Sequence, residues 1–347
     1  MARPIRFGFR TDSGGDYGLG HFVRCRRLAQ EAISRGHAVT FWVSRCHNDG
    51  LAVLAAEGIP VGHLKTPFAP LLADADIDCL IVDDLHRDCL ADIGRFSRSL
   101  AGFRSLTRVV LIDGGGRHAV RDRLPKDAFD LALAPYAGET PGPRALVGAA
   151  YCVLDREYEN LPRRTCAGKA ANVLVTCGGT DPFGLTEEVL AALDDMAGGP
   201  LDIRVAVGAG FTGAVREGIA TACRRSRHVV ALIDAPASLA NHMARADVAV
   251  ATSGLTKYEL AACGLPSLLV SIDEDHRDIN KAFLAEGTAW DGGVAGQIDR
   301  RALARQLNDL IADRSLRQEM ADRGQSLVDG RGCRRIFDEL EARIDPR

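Results

Sequence analysis

Ile5-Arg6-Phe7-Gly8-Phe9-Arg10-Thr11-Asp12-Ser13-Gly14-Gly15-Asp16-Tyr17-Gly18-Leu19-Gly20-His21-Phe22-Val23-Arg24-Cys25 is the stretch on which the fold turns. The apolar run Ile5–Phe9 reads as a buried first strand, and the amphipathic run Cys25–Ser34 as the first helix. Between them lies a glycine-rich turn. A strand, a glycine turn and a helix present backbone N–H groups to an anion, which is how α/β domains take phosphates. His21 stands at the mouth of this turn. A helix N-terminus disfavours the imidazolium form, and a neutral imidazole can take a proton from water. General-base help of that kind is worth about 10²–10⁴ in rate. The same residues also read more plainly: a steric glycine turn and a histidine bonded to a loop carbonyl. Asp12, on the same loop, either orients the imidazole or caps the turn.

The rest of the first half repeats this grammar. Ala38–Val43, Cys79–Val82, Val109–Ile112 and Leu131–Ala134 are short and almost continuously apolar, as parallel strands covered on both faces are. Helical periods fall near 21–34, 49–57 and 88–103. In the second half the strands are Val173–Thr176, Ile203–Val207, Val229–Ile233, Val248–Ala251 and Ser267–Ser271. Helices are expected near 182–195, 212–224, 236–244, 256–263, 277–286, 299–312 and 315–341. Leu154–Ala171, rich in Arg, Pro, Glu and Lys, reads as the connection. The expectation is an α/β protein of two Rossmann-like, doubly wound domains, 1–155 and 170–347, facing a central cleft. The last helix is expected to pack back on the N-terminal domain.

Composition removes several alternatives. The 347 residues are 46% hydrophobic and 26% charged, ordinary for a folded soluble protein. A net charge of −3 and 5% aromatic content argue against a nucleic-acid partner. No apolar run is long enough to insert into a membrane, and no signal-peptide pattern opens the chain. A cytoplasmic protein, a monomer or weak dimer, is expected. The ten cysteines (25, 46, 79, 89, 152, 166, 177, 223, 263 and 333) form no C-x-x-C pair and read as reduced core residues. The first turn lacks the full G-x-G-x-x-G spacing, and no ribose-binding acid follows the second strand. A nicotinamide dinucleotide is therefore a poor fit.

Three further strand-to-helix turns carry polar chemistry. Thr176-Cys177-Gly178-Gly179-Thr180-Asp181-Pro182 has two glycines for close backbone approach, a capping Thr180 or Asp181, and Pro182 near the first helical position. It reads equally as a plain turn. Ala251-Thr252-Ser253-Gly254-Leu255-Thr256-Lys257-Tyr258-Glu259 offers Ser253, Thr256 and free N–H groups to a pyrophosphate. Glu259, one turn on, suits a vicinal diol. Ser271-Ile272-Asp273-Glu274-Asp275-His276 clusters acids with a histidine, but consecutive side chains converge poorly on one ion. A polar loop with substrate contacts is the better reading, and no metal is expected.

Four segments together resemble the UDP-sugar hydrolase family of pseudaminic acid biosynthesis, whose fold is that of the GT-B glycosyltransferases. They are Arg10-x-Asp12…Gly18-x-Gly20-His21-x-x-Arg24-Cys25-x-x-Leu28-Ala29, Leu154-x-Arg156-Glu157-Tyr158, Gly178-Gly179-Thr180-Asp181-Pro182 and Ser253-Gly254-x-Thr256-x-x-Glu259-x-x-x-x-Gly264-x-Pro266. The resemblance runs from residue 5 to about 290, and the segments other than the first recur across related proteins, spore-coat polysaccharide enzymes included. It implies hydrolysis of UDP-2,4-diacetamido-2,4,6-trideoxy-β-L-altropyranose at the anomeric C–O bond, with UDP leaving and no cofactor or metal. His21 would be the base, and the Ser253–Thr256 helix start would hold the diphosphate. Glu259 would hold the ribose. Arg10, Gly18, Gly20, Arg24, Gly178, Gly179, Thr180, Gly254, Asp275 and His276 would complete the substrate site.

The chain departs from the family pattern twice. Val82-Asp83-Asp84-Leu85-His86 lacks the family's tyrosine, and Asp275-His276 replaces an Asn-Gln pair. A different nucleotide sugar, or transfer to an acceptor other than water as in an inverting GT-B glycosyltransferase, would accommodate both. A non-catalytic nucleotide-sugar binding protein is the remaining alternative.

Overall fold

The structure is a computed structural model; it describes residues 3–13, 20–46, 48–66, 76–84 and 91–344, and for 48, 49 and 117 the backbone alone. The chain forms two compact units, Met1–Asp155 with Arg331–Arg347, and Arg156–Gly330. Both are parallel-sheet α/β units.

The first unit holds β1 (Arg6–Thr11), α1 (Gly20–Ser34), β2 (Ala38–Val43), α2 (Asn48–Ala56), β3 (Val61–His63), β4 (Cys79–Asp83), α3 (Ile93–Arg104), β5 (Arg108–Ile112), β6 (Leu131–Ala134) and β7 (Ala145–Val147). Its seven-stranded sheet runs β3-β2-β1-β4-β5-β6-β7. The second unit holds β8 (Asn172–Thr176), α4 (Leu185–Asp194), β9 (Asp202–Val207), α5 (Gly213–Arg225), β10 (Val229–Asp234), α6 (Ala240–Arg245), β11 (Val248–Thr252), α7 (Thr256–Ala262), β12 (Ser267–Ser271), α8 (Glu274–Ala285), β13 (Ala289–Val294), α9 (Arg300–Ala312) and α10 (Arg314–Leu327). Its six-stranded sheet runs β10-β9-β8-β11-β12-β13. A last helix, α11 (Gly332–Arg343), belongs to the first unit.

Each strand order reverses once, between β1 and β4 in one sheet and between β8 and β11 in the other. Crevices outside the carboxyl ends of strands at such a reversal are where open α/β sheets bind ligands. Thr11 pairs with Asp83 at the first reversal, and Thr176 with Ala251 at the second.

The central strands form because their residues are buried on both faces; β4 (Cys-Leu-Ile-Val-Asp) and β11 (Val-Ala-Val-Ala-Thr) are buried throughout. On α1, Cys25, Leu28, Ala29 and Ala32 repeat at helical spacing and are fully buried against Phe7, Phe9 and Phe41. Ile336, Phe337 and Leu340 of α11 join that core, Phe337 edge-on to Phe7 at 5.1 Å.

One helix was expected over 315–341, within a C-terminal domain of 170–347; the structure has two helices, α10 and α11, in different units. Gly330 (φ +77°) breaks the run, and a Cβ there would meet the Tyr158 carbonyl oxygen at 2.2 Å. β3, β7 and β13 were not anticipated. Two are three residues long, and β13 carries a Gly292-Gly293 pair that reads as a turn. The helix after the second glycine pair starts at Leu185 rather than at Pro182, because Gly184 is left-handed (φ +66°). Among the described residues no helix is long and apolar enough to cross a membrane. The nine described cysteines are free, and Cys89 lies outside the described residues.

Candidate functional site

In the first unit the chemistry gathers at the β1/β4 reversal. His21 stands in the first turn of α1, and its Nδ1 lies 2.6 Å from Asp83 Oδ1 at the end of β4. Arg24, one turn further along α1, donates from Nε to Asp83 Oδ2 and from Nη2 to Oδ1, both at 2.7 Å. Its Nη1 donates to the Tyr136 hydroxyl at 2.5 Å. Burial pushes the Asp83 carboxyl upward, but Arg24 and His21 outweigh it and hold the pKa at about 2. An ionised carboxylate only accepts hydrogen bonds. The His21 nitrogen facing it therefore carries a proton, and in the neutral ring Nε2 keeps the free lone pair. A base oriented by a buried carboxylate is the arrangement that activates nucleophiles.

Asp12 does not orient His21. Its Oδ1 accepts from the Ser44 and Arg45 backbone N–H groups at 2.7 and 3.0 Å, and the Ser44 hydroxyl donates to Oδ2 at 2.5 Å. The Arg10 guanidinium takes both its oxygens, at 2.8 and 2.9 Å. Asp12 thus ties the ends of β1 and β2 together, and its pKa is lowered because Arg10 and these donors outweigh burial. Arg10 is likewise not at a ligand surface: it is fully buried and paired with Asp12 and Asp84. Arg24 was expected to touch substrate; 7% exposed, it is committed to Asp83 and Tyr136. Gly20 is exposed, and a Cβ there would meet nothing. Gly18, Leu85 and His86 lie outside the described residues.

In the second unit three turns leave the carboxyl ends of the neighbouring strands β8, β11 and β12. Gly178, Gly179 and Thr180 are exposed. Gly179's carbonyl accepts the Gly210 N–H at 3.0 Å, and a Cβ on Gly208 would meet that oxygen at 2.4 Å. The turn is therefore braced by the loop after β9. Asp181 caps α4, accepting from the Leu185 and Thr186 N–H groups at 2.8 and 2.9 Å. A Cβ on Gly178 would lie 3.5 Å from Thr252 Oγ1, so the first turn adjoins the second.

Beyond Thr252, the Ser253 hydroxyl is buried without a hydrogen-bond partner. Gly254 (φ +138°) is exposed and needs to be glycine. Thr256 opens α7, whose start has no side-chain cap. Glu259 is 7% exposed in its first turn. Lys257 Nζ donates to Asn280 Oδ1 at 2.8 Å, and Asn280 Nδ2 to the Ser271 hydroxyl at 3.0 Å, which braces α7 against α8 and β12. Asp275 and His276 lie in the first turn of α8. His276 folds onto the capping Asp273, its backbone N at 2.7 Å and its Nδ1 at 2.6 Å from Oδ1.

Asp83 and Tyr136 were missed as site residues. Asp83 left a signal, an acid ending the strand beside β1. Tyr136 left none, because it stands 112 residues from Arg24 in sequence. A cavity of about 850 Å³ between α4 and α5, lined by Glu187, Glu188, Asp194, Glu217 and Arg300 among others, contains none of these turns. Among the described residues no group of three or more His, Cys, Asp or Glu could hold a metal ion.

No family model matches the chain. It is 26% identical over 344 residues to the spore coat polysaccharide biosynthesis protein SpsG of Bacillus subtilis (strain 168), covering 96% of each chain. Its fold is similar to that of MurG from Acinetobacter baumannii (TM-score 0.71, 18% identity, 98% of this chain and 100% of that one). It is also similar to UDP-GlcNAc 2-epimerase from Neisseria meningitidis, solved bound to UDP-GlcNAc (TM-score 0.61, 14% identity, 97% and 100% covered). The two Rossmann-like units are thus those of the GT-B class.

Proposed function

We propose that the protein is an enzyme acting on a UDP-activated sugar in polysaccharide biosynthesis. More narrowly, we propose that it hydrolyses the anomeric C–O bond of a UDP-2,4-diacetamido-2,4,6-trideoxy-hexose and releases UDP. The observation that carries this reading is the His21–Asp83 pair at the β1/β4 reversal. As a water oxygen bonds to the anomeric carbon, His21 Nε2 takes its proton. The bond from that carbon to the diphosphate oxygen breaks, and its electron pair leaves with UDP. The charge gained by the imidazole is stabilised by ionised Asp83. Gly178–Thr180 and Ser253–Thr256 are assigned to the diphosphate, with the unpartnered Ser253 hydroxyl as a donor, and Glu259 to the ribose. Similarity to SpsG, a spore coat polysaccharide biosynthesis protein, along almost the whole chain supports the polysaccharide setting, and a fold shared with an epimerase solved with UDP-GlcNAc supports a UDP-sugar.

Transfer to an alcohol acceptor is the second reading. It is favoured by Asp275-His276, where the family has Asn-Gln and where His276 is engaged by the Asp273 cap. Incubation with a panel of UDP-sugars separates the two. Hydrolysis predicts UDP release in buffer alone, slowed about 10²–10⁴-fold in His21→Ala. Release that requires an added glycan or lipid acceptor selects transfer, and tight UDP binding without turnover of any donor rejects both.

A further inference from the structure

Four strands end the two sheets: β3 and β7 in the first unit, β10 and β13 in the second. Short strands and bulges are how sheet edges avoid pairing with other chains. β3 and β7 have three residues each, and β13 shifts register against β12 between Leu269 and Ser271. β10 has neither device. Val229-Val230-Ala231-Leu232-Ile233-Asp234 runs in unbroken register along Asp202–Val207 of β9, with no Pro, Gly, Lys or Arg in it. Val229 is 63% exposed and Leu232 46%. The Val229 and Ala235 N–H groups bond to the Leu201 and Val207 carbonyls. By the two-residue period of a strand, Val230, Leu232 and Asp234 then turn their N–H and C=O groups away from the sheet.

We propose that β10 pairs antiparallel with β10 of a second copy of this chain, about a twofold axis through Ala231, and makes a weak dimer. The strand is complementary to itself in that sense. With Ala231 on the axis, Val230 lies opposite Leu232 of the other copy, both with outward N–H and C=O groups. The two such pairs give about four main-chain hydrogen bonds. On the opposite face Val229 meets Ile233, so each exposed apolar side chain covers a half-buried one. Arg227, whose guanidinium donates to the Met196 and Gly198 carbonyls, precedes the strand, and Asp234, 72% exposed and paired with Arg216 at 2.6 Å, ends it. Antiparallel pairing sets exposed Val229 and Leu232 each opposite a half-buried residue, and in-register parallel pairing does not. The contact is isologous and closes on itself. One strand pair falls short of the roughly 1,000 Å² of a stable interface, so the association is concentration-dependent.

Sedimentation equilibrium of the full chain from about 1 to about 300 µM tests this over the range of weak affinities. The expected result is a mass rising from one chain towards two. Leu232→Lys and, independently, Val229→Lys are expected to lower the association constant about tenfold or more, with circular dichroism and melting temperature unchanged. Both positions are exposed, and if one variant misfolds the other carries the test. A single-chain mass throughout, or undiminished self-association in the folded variants, overturns the proposal.

Discussion

A carboxylate buried as fully as Asp83 stays ionised because Arg24 stands against both of its oxygens. Its folded pKa of about 2 lies below the usual carboxylate range, so the native state binds that proton more weakly than the unfolded chain does. The resulting stabilisation, about 2–3 kcal/mol, is present above about pH 4 and is lost as pH falls towards about 2. Melting temperature is therefore expected to fall steeply across that window. Asp83→Asn should remove this component of the acid dependence and, by leaving Arg24 buried without its counter-ion, cost about 3–5 kcal/mol at neutral pH, measurable by urea unfolding. At this scale His21 and its place at a helix start were legible, because a glycine turn between an apolar run and an amphipathic run marks that place. Its orienter was not. Asp12 is near His21 in sequence, but strand pairing brings Asp83 to it.

Among the elements, the turns after β8 and β11 depend on small residues more than on polar ones. Gly208 allows the β9 loop to lie against the Gly179 carbonyl. Gly208→Ala is expected to displace the Gly178–Thr180 turn and weaken UDP binding about tenfold, roughly 1.4 kcal/mol, while the far-ultraviolet spectrum is retained. Titration calorimetry with UDP reads this directly. Asp181, foreseen as one of two possible caps, satisfies two N–H groups of α4; Asp181→Ala should cost about 1–2 kcal/mol in thermal unfolding. The central strands were legible because continuous apolar runs admit little else. β3, β7 and β13 escaped because very short edge strands and a glycine pair carry no period to read. The break between α10 and α11 escaped because both flanks keep helical spacing, and only Gly330 and Gly332 mark it.

Across the whole molecule, the chain returns at its end to the unit in which it began. Phe337 is fully buried in the first unit's core beside Phe7. Phe337→Ala is expected to cost about 3–5 kcal/mol and to lower the melting temperature read by calorimetry. The division into two α/β units was legible from two rounds of strand and helix. The passage of the last seventeen residues, Arg331–Arg347, back to the first unit was foreseen only as packing of the last helix, because burial of α11 depends on a surface that the sequence does not display. The chemistry proposed for the molecule rests on one group, the imidazole at the β1/β4 reversal. Its most direct test is the rate of UDP release from a UDP-sugar by wild type, His21→Ala and Asp83→Asn, with UDP affinity measured alongside. The expected result is a loss of about 10²–10⁴ in rate in both variants at unchanged UDP affinity. Release by folded His21→Ala at the wild-type rate would contradict it.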